Sequence, residues 1–483
     1  MLYEEYEGMS FYQMLERVAK KYAEKPAVSF CEDETPQTKT YAELFRDCRV
    51  LGKYLQKHGM KGKYVVVDSR NTYFQLVSIF SAMSLGAVAA ILNFDLPDAD
   101  IMSAFERIQP AMVIYDKEDA DFVHGLPSDA VCLCCTPEEN SYAGTNVCDI
   151  LAHETALLEN DPSIRTTDPA AILMTSGSTS VSKLVLLSHA SMLPFSDLVT
   201  ERSIMTYPLY HVAGIKMVIN DLGRGSHTCL SDFRRGLYDI EWFRPTDAMM
   251  IPLFVNTLVK RSRKGLTDIT CFKNLHTGGA PQDPDTKAYL NSLGIFSASF
   301  YGTTETAGIN TCSYPETFKT GSVGQLGPWN PGRVSEEGEI QIKSKCVMLE
   351  YLKDPEATRA AFTEDGWYKT GDVGRIDEDG FLYITGRIKN IIILSNGENV
   401  SPEAIEARLL VSPDIDEAVA YGEEDEIRLA VWSDALTDEK KARIEAHVKE
   451  YNKTVPTYHR VKKVVFRDRP FDRTASNKIK RTL

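Results

Sequence analysis

Basic side chains are in short supply. The 483 residues carry 54 Lys and Arg against 68 Asp and Glu, a formal net charge of −14. That balance excludes nonspecific nucleic-acid binding, which needs an excess of cations. Any anionic substrate must therefore meet a locally basic site. Cysteine is thinly spread: ten are scattered from Cys31 to Cys346 and none follows. This is no disulfide framework, and a reducing, cytoplasmic setting is expected. Cys132-Leu133-Cys134-Cys135 holds one C-x-x-C spacing without a second pair at zinc spacing. Residues 130–135 read instead as a buried strand. The opening Met1-Leu2-Tyr3-Glu4-Glu5 lacks a basic start before an apolar core, so no signal peptide is expected. No apolar run is clean enough for a membrane span. The strongest, residues 74–92, is broken by Gln75, Ser78, Ser81, Ser84 and Gly86. Its pattern predicts a core helix to Leu85 and a buried strand over 87–92. Repeats, low-complexity tracts and a long flexible linker are missing too, so a moving domain must turn on a short hinge.

What is present is an ordinary globular profile, 43% hydrophobic and 25% charged, enough for about two to four domains. Helical periodicity runs over residues 10–58 around one extended piece at 27–30. Short apolar strands at 64–67, 87–92 and 111–115 then alternate with helices. The pattern resumes at 203–207, 248–251 and 295–300. Such alternation predicts an α/β architecture of parallel sheets covered on both faces, with ligands at the carboxyl ends of strands. Past residue 320 the texture changes. Residues 338–343 and 380–385 alternate at period two, as antiparallel strands of a small barrel-like piece would.

Residues 174–183 read Met-Thr-Ser-Gly-Ser-Thr-Ser-Val-Ser-Lys. A short apolar strand precedes them and Leu184-Val185-Leu186-Leu187 reads as a strand after them. Thr175, Ser176, Ser178 and Thr179 can donate hydrogen bonds, Gly177 permits close backbone approach, and Lys183 adds a cation. Strand, hydroxyl loop, strand differs from the common nucleotide loop, which opens a helix. Taken alone, the segment is only suggestive, since Ser/Thr/Gly runs are usually plain loops.

Four further segments change its weight. They are Tyr301-Gly302-Thr303-Thr304-Glu305, Trp367-Tyr368-Lys369-Thr370-Gly371-Asp372, Gly386-Arg387-Ile388-Lys389-Asn390, and the closing Arg473-Thr474-Ala475-Ser476-Asn477-Lys478-Ile479-Lys480-Arg481. In this order, with the loop, they resemble the adenylate-forming superfamily. That superfamily holds acyl- and aryl-CoA synthetases, peptide-synthetase adenylation domains and luciferases. The likeness is nearest to acyl-CoA synthetases and o-succinylbenzoate-CoA ligase-like members, and it runs from Thr40-Tyr41-Ala42-Glu43-Leu44 to the end of the chain.

The resemblance implies two doubly wound sheets plus a small distorted β-barrel in an N-terminal domain over residues 1–387. A small mobile α+β domain over 388–483 would carry the adenylation lysine. It implies that the loop from Thr175 to Lys183 holds the β- and γ-phosphates of ATP. Gly278-Gly279-Ala280-Pro281 would pass under adenine, and Tyr301 would stack on it. Gly302 and Thr303 lead to Thr304, assigned to the α-phosphate, and to Glu305, assigned to Mg2+. Asp372 would bind the ribose hydroxyls and Arg387 the ribose or phosphate. Lys478 would bridge the attacking carboxylate and the α-phosphate. Tyr207-Pro208-Leu209-Tyr210-His211-Val212-Ala213-Gly214 resembles the family segment in which His211 sits beside the substrate carboxylate. An aspartate that would pair with an α-amino group is missing there. Lys216 either pairs with a second carboxylate on the acid or snorkels to the surface.

The implied reaction has two steps. Carboxylate and ATP give acyl-AMP and pyrophosphate, and a thiol then displaces AMP. Between them the C-terminal domain would turn about Lys389, withdrawing Lys478 and bringing in residues 395–402, where Gly397 permits close approach. A capped helix is expected over 403–410. The chain departs from the family pattern at Ser180 and Ser182 in the loop, at Asn477 before the lysine, and at 420–424, which lacks a Gly-Val-Pro-Asp stretch. Three functions stay open at this point. One is a soluble ligase joining a small carboxylic acid to coenzyme A. Another is a stand-alone adenylation enzyme loading a carrier protein, with no carrier domain or transmembrane segment expected in the chain. The last is a nucleotide-binding relative without catalysis.

Overall fold

The computed structural model describes residues 2–32, 34–93, 96–116, 131–134, 145–175, 182–195, 200–232, 235–279, 282–395, 399–473 and 479–481. The chain forms two compact units. The first comprises residues 1–318, 324–331 and 342–368, the second 319–323, 332–341 and 369–483.

Two seven-stranded sheets organise the first unit. One runs in the order Ser299–Phe300, Asn274–Gly278, Asp247–Met250, Arg202–Met205, His227–Leu230, Pro26–Glu32, Thr35–Thr40. Every pairing is parallel except the last. The other runs Glu350–Tyr351, Leu184–Ser188, Pro169–Met174, Val88–Ile91, Tyr64–Asp68, Met112–Tyr115, Val131–Cys134. Its first two pairings are antiparallel and the rest parallel. The expected doubly wound α/β class is what forms.

The broken apolar run resolves as anticipated. Tyr73–Leu85 is a helix in which all residues but Phe74 are buried, and Val88–Ile91 is a central strand. A helix apolar on all sides belongs inside. Two of its three serines, Ser78 and Ser81, satisfy their hydroxyls by donating to the carbonyls of Phe74 and Val77 at 2.7 and 2.6 Å. Two expectations need correction. The extended piece at 27–30 is half of a hairpin whose second strand, Thr35–Thr40, is polar and mostly exposed. An edge strand facing water carries no apolar alternation to betray it. At 295–300 only Ser299–Phe300 is laddered, with Phe296 bridged singly to Asn274.

In the second unit a sheet runs in the order Gly332–Val334, Glu339–Ile342, Tyr368–Ile376, Leu382–Arg387. It is the barrel-like piece of the sequence reading, open rather than closed among the described residues. Beyond it, Glu417–Glu423, Glu426–Trp432 and Val461–Phe466 form a three-stranded sheet. The helices Pro402–Leu409 and Asp438–Lys453 close a separate core built on Val400, Ile405, Leu409, Leu429 and Ile444. Ser401 caps the first of these helices by accepting from the Ala404 amide, as its sequence predicts.

Candidate active site

The hydroxyl loop hangs between two antiparallel strands, and its neck is closed by hydrogen bonds. The Thr175 amide donates to the Lys183 carbonyl at 3.0 Å. The Lys183 amide donates to Thr175 Oγ1 at 3.3 Å. Ser176, Gly177, Ser178 and Thr179 lie outside the described residues. One holder of the loop was invisible in the sequence: Arg107, on the helix Asp98–Ile108, donates to the Ser182 carbonyl at 2.9 Å.

Lys183 does not point at random. The strand Glu350–Tyr351 pairs with Leu184–Ser188 in a register that sets Tyr351 opposite Val185. Lys183 Nζ then lies 4.2 Å from the centroid of the Tyr351 ring, within cation–π range. The Tyr351 hydroxyl donates to Glu305 Oε1 at 2.8 Å. One tyrosine thus joins the loop lysine to the expected metal ligand. Burial and the Glu305 charge push the Tyr351 and Tyr368 phenols far up, so both stay protonated donors. Neither was assigned a role from the sequence, although Tyr368 lies within the segment 367–372 that ends at Asp372. No local signal marks Tyr351, since its partner is 46 residues away.

Glu305 sits in the one-turn helix Thr304–Thr306, inside a tight hairpin pairing Gly302–Thr303 with Gly308–Ile309. Thr303 and Thr306 share a hydroxyl contact at 3.0 Å, and Asn310 donates to Thr306 Oγ1 at 2.8 Å. The Met348 amide donates to the Glu305 carbonyl at 2.7 Å. Tyr301 is fixed by its backbone, donating to Thr311 Oγ1 at 3.1 Å and accepting from the Asn310 amide at 2.8 Å. The hairpin turn ends at Gly308, φ +103°, beside Val212 and Lys216 of the helix Val212–Arg224.

That helix starts at His211, whose Nδ1 accepts from the Ala213 amide at 3.1 Å. The capping bond leaves Nε2 as the protonated nitrogen of the neutral ring. The ring stacks on Tyr207 with centroids 5.4 Å apart. The Tyr207 hydroxyl donates to the Gly278 carbonyl at 3.1 Å. Asn71, also unforeseen, fastens this segment by donating to the Tyr207 carbonyl at 2.9 Å and accepting from the Leu209 amide at 2.8 Å. Gly214 has a steric reason to be glycine: a Cβ there would overlap the Pro208 carbonyl oxygen. Gly279 follows at φ +82° with open space where a Cβ would stand, a backbone conformation that favours glycine. Ala280 and Pro281 lie outside the described residues. A cavity of about 250 Å3 opens along the face of the sheet that holds Asn274–Gly278, walled by Met205, Met217, Met249, His276 and Phe296, with Asp247 and Asn274 at the starts of their strands also lining it. Burial holds His276 neutral, pushed down to about 4.

Lys216 overturns both readings offered for it. It neither reaches the surface nor lies free to meet a carboxylate. Its side chain is fully buried, donating to the Ser191 and Leu193 carbonyls at 2.7 Å each. A third contact sets Nζ 4.0 Å from the Phe195 ring centroid.

In the second unit, Asp372 and Arg387 face each other across paired strands, with Arg387 Nε 2.6 Å from Asp372 Oδ1. Gly371 precedes them at φ +71°, its amide donating to Glu339 Oε1 at 2.9 Å. Lys389 lies in the one-turn helix Ile388–Asn390, its ammonium pushed down by burial and by the Arg387 charge. Gly397 and Lys478 lie outside the described residues.

Comparison with known proteins shows the family. The model of the AMP-binding enzyme family matches residues 15–352, and that of the AMP-binding enzyme C-terminal domain matches 389–483. The chain belongs to the AMP-binding enzyme family. Among its relatives is the 2-succinylbenzoate–CoA ligase of Geobacillus kaustophilus, 29% identical over 413 residues, covering 81% of each chain. The long-chain-fatty-acid–CoA ligase of Mycobacterium tuberculosis is 27% identical over 482 residues, covering 94% of each. The fold matches that of the O-succinylbenzoate coenzyme A synthetase of Bacillus subtilis solved with AMP, at a TM-score of 0.81, 22% identity and 98% coverage of both chains. In this chain Tyr351 joins Lys183 to Glu305, and Tyr207 joins His211 to Gly278, across long stretches of sequence. No helix among the described residues is long and apolar enough to cross a membrane.

Proposed function

We propose that this chain is an AMP-forming acid–thiol ligase that joins a carboxylic acid to coenzyme A. The acid oxygen attacks the α-phosphorus of ATP, and the bond to the bridging oxygen breaks, releasing pyrophosphate. The thiol sulfur then attacks the acyl carbon, and AMP leaves. The observation that carries this reading is the line Lys183–Tyr351–Glu305, which sets a cation over the ring and a carboxylate at the hydroxyl of one tyrosine. A polyphosphate with magnesium needs that pair of charges. Magnesium is commonly held by one or two carboxylates together with substrate phosphates, and Glu305 suits that donor set. The ion supplies charge neutralisation at the phosphates when bound. The relatives named as CoA ligases favour coenzyme A as acceptor.

The remaining roles follow the family resemblance. The loop from Thr175 to Lys183 grips the pyrophosphate end. Gly278 to Pro281 and Tyr301 receive adenine, Thr304 the α-phosphate, Asp372 and Arg387 the ribose. His211 presents Nε2–H to the acid, and Lys478 bridges acid and α-phosphate. Residues 388–483 act as the mobile domain on residues 1–387, turning about Lys389. The protein works in the cytoplasm. Lys216 is already engaged by two carbonyls, which removes it as the partner of a second carboxylate.

A pyrophosphate-release screen over fatty, aryl and dicarboxylic acids tests the substrate assignment. Lys478→Ala is expected to lower acid-dependent pyrophosphate exchange about 100- to 1000-fold while ATP binding persists. Unchanged exchange in that variant refutes the role of Lys478.

A further inference from the structure

The strand Leu184–Ser188 follows directly on the loop lysine, and both of its ends are held. Tyr351 pairs at its start, opposite Val185. Its far end runs into the turn Ala190–Met192, which is tied back to the strand. The Ser191 amide donates to Ser188 Oγ at 3.2 Å, and the two hydroxyls lie 3.0 Å apart. The Lys216 ammonium reaches the same turn and donates to the carbonyls of Ser191 and Leu193. Asn220, four residues further along the helix Val212–Arg224, accepts from the Phe195 amide at 3.0 Å. The helix that His211 caps thus grips residues 191–195 at two successive turns.

The stem of the same lysine meets a different element. A Cβ on Gly308 would stand 3.5 Å from both Cβ and Cγ of Lys216. Gly308 pairs with Thr303 across the hairpin that carries Glu305. One side chain therefore spans from the end of the loop strand to the turn beside the expected metal ligand.

A cation is a costly occupant for such a place. Desolvation opposes it, and an apolar side chain of similar volume would fill the same space without that cost. What the ammonium adds is direction. Its donors take two carbonyls two residues apart and so fix the turn that presents them. At 0% exposure, those bonds face no competition from solvent. We infer that Lys216 is a positioning residue, which sets the strand behind Lys183 against the hairpin of Glu305 and so fixes the spacing that a magnesium-bound polyphosphate must fit. It acts in parallel with Tyr351, one at each end of the strand. The inference rests on the roles proposed for Lys183 and Glu305.

The test measures ATP binding to the full-length protein by isothermal titration calorimetry, once with magnesium chloride and once with EDTA. The readout is the magnesium gain, the ratio of the two affinities. A lysine that only supports the core changes stability and leaves that ratio alone. Lys216→Met keeps most of the stem and deletes the ammonium. Its magnesium gain should fall about fivefold, with metal-free ATP affinity within about twofold of the parent. Lys216→Gln, whose amide can still donate to one carbonyl, should lose less, about two- to threefold, and carries the test should the methionine variant not fold. Lys216→Met combined with Tyr351→Phe should lose more than either change alone. A parent-like magnesium gain in the folded Lys216 variants overturns the inference. An equal fall of both affinities overturns it as well and leaves Lys216 a support of the core. Glu305→Gln should abolish the magnesium gain. Should it keep the full gain, the underlying role of Glu305 falls instead, and the two failures are told apart.

Discussion

Replacing Lys216 by methionine isolates a buried amine whose two influences oppose each other. Burial pushes the ammonium from its ordinary 10.5 down to about 7, with the neighbouring Cys346 thiol acting weakly the other way. Two carbonyls at 2.7 Å and the Phe195 face at 4.0 Å favour the charged form. The amine has a folded-state value below its unfolded one. Its stabilising contribution is thus full above pH 10.5 and is lost as pH falls toward about 7. Each unit is worth about 1.4 kcal/mol, so the interval from 10.5 to about 7 amounts to roughly 5 kcal/mol, an upper bound for complete desolvation. Methionine removes that pH-dependent term but orphans two carbonyls, at about 1–3 kcal/mol each. The two effects nearly cancel at pH 7, so the variant should unfold within about 3 kcal/mol of the parent there. At pH 9.5 it should be clearly weaker. Urea unfolding of the large unit, followed by tryptophan fluorescence from pH 7.5 to 9.5, measures the difference. It should widen by about 2–3 kcal/mol across that range. A difference that stays flat would show the carbonyls and the ring holding the ammonium charged throughout, and would refute the dominance of burial.

Gly214→Ala drives a Cβ into the Pro208 carbonyl oxygen, backbone against backbone. The segment carrying His211 must shift, so kcat/KM for the acid should fall at least tenfold while thermal unfolding of the second unit stays put. Parent-like kinetics would show that the helix start can move without cost. Tyr351→Phe keeps the ring beside Lys183 and deletes the hydrogen bond to Glu305. A charge-assisted bond of about 1.5–3 kcal/mol predicts a tenfold to hundredfold weaker magnesium dependence of pyrophosphate exchange. An unaltered magnesium titration would remove Tyr351 from the site.

The elements legible in the sequence were those that bury a repeating face. The helix Tyr73–Leu85 and the strands Tyr64–Asp68 and Met112–Tyr115 fall where periodicity sets them. The strand Thr35–Thr40 was hidden because it buries almost nothing. The motif residues were legible as types in a pattern, and the structure joins Lys183 to Glu305 through Tyr351 and His211 to Gly278 through Tyr207. The residues that make those contacts were not legible. Tyr351 touches Lys183 through a strand register, Asn71 reaches Tyr207 across 136 positions, and Arg107 reaches Ser182 across 75. No local pattern encodes a partner that the fold alone supplies. Lys216 failed for a related reason. A lysine in an apolar helix reads as a snorkelling side chain, and only the turn over Ala190–Met192, folded beside it, offers the carbonyls that let it stay inside.

The same logic explains how the loop tolerates its departures from the family pattern. The family sets a proline just before the loop lysine, and this chain has Ser182 there. A proline restricts the backbone by fixing φ. Here Arg107, on a distant helix, holds the Ser182 carbonyl, and Thr175 Oγ1, at the other end of the loop, holds the next amide. Two hydrogen bonds, one from a helix and one across the loop's own neck, stand where the ring would. The neck is fixed in either case, and the lysine leaves it at a defined angle toward Tyr351. Part of the loop's constraint thus comes from a distant helix, through Arg107.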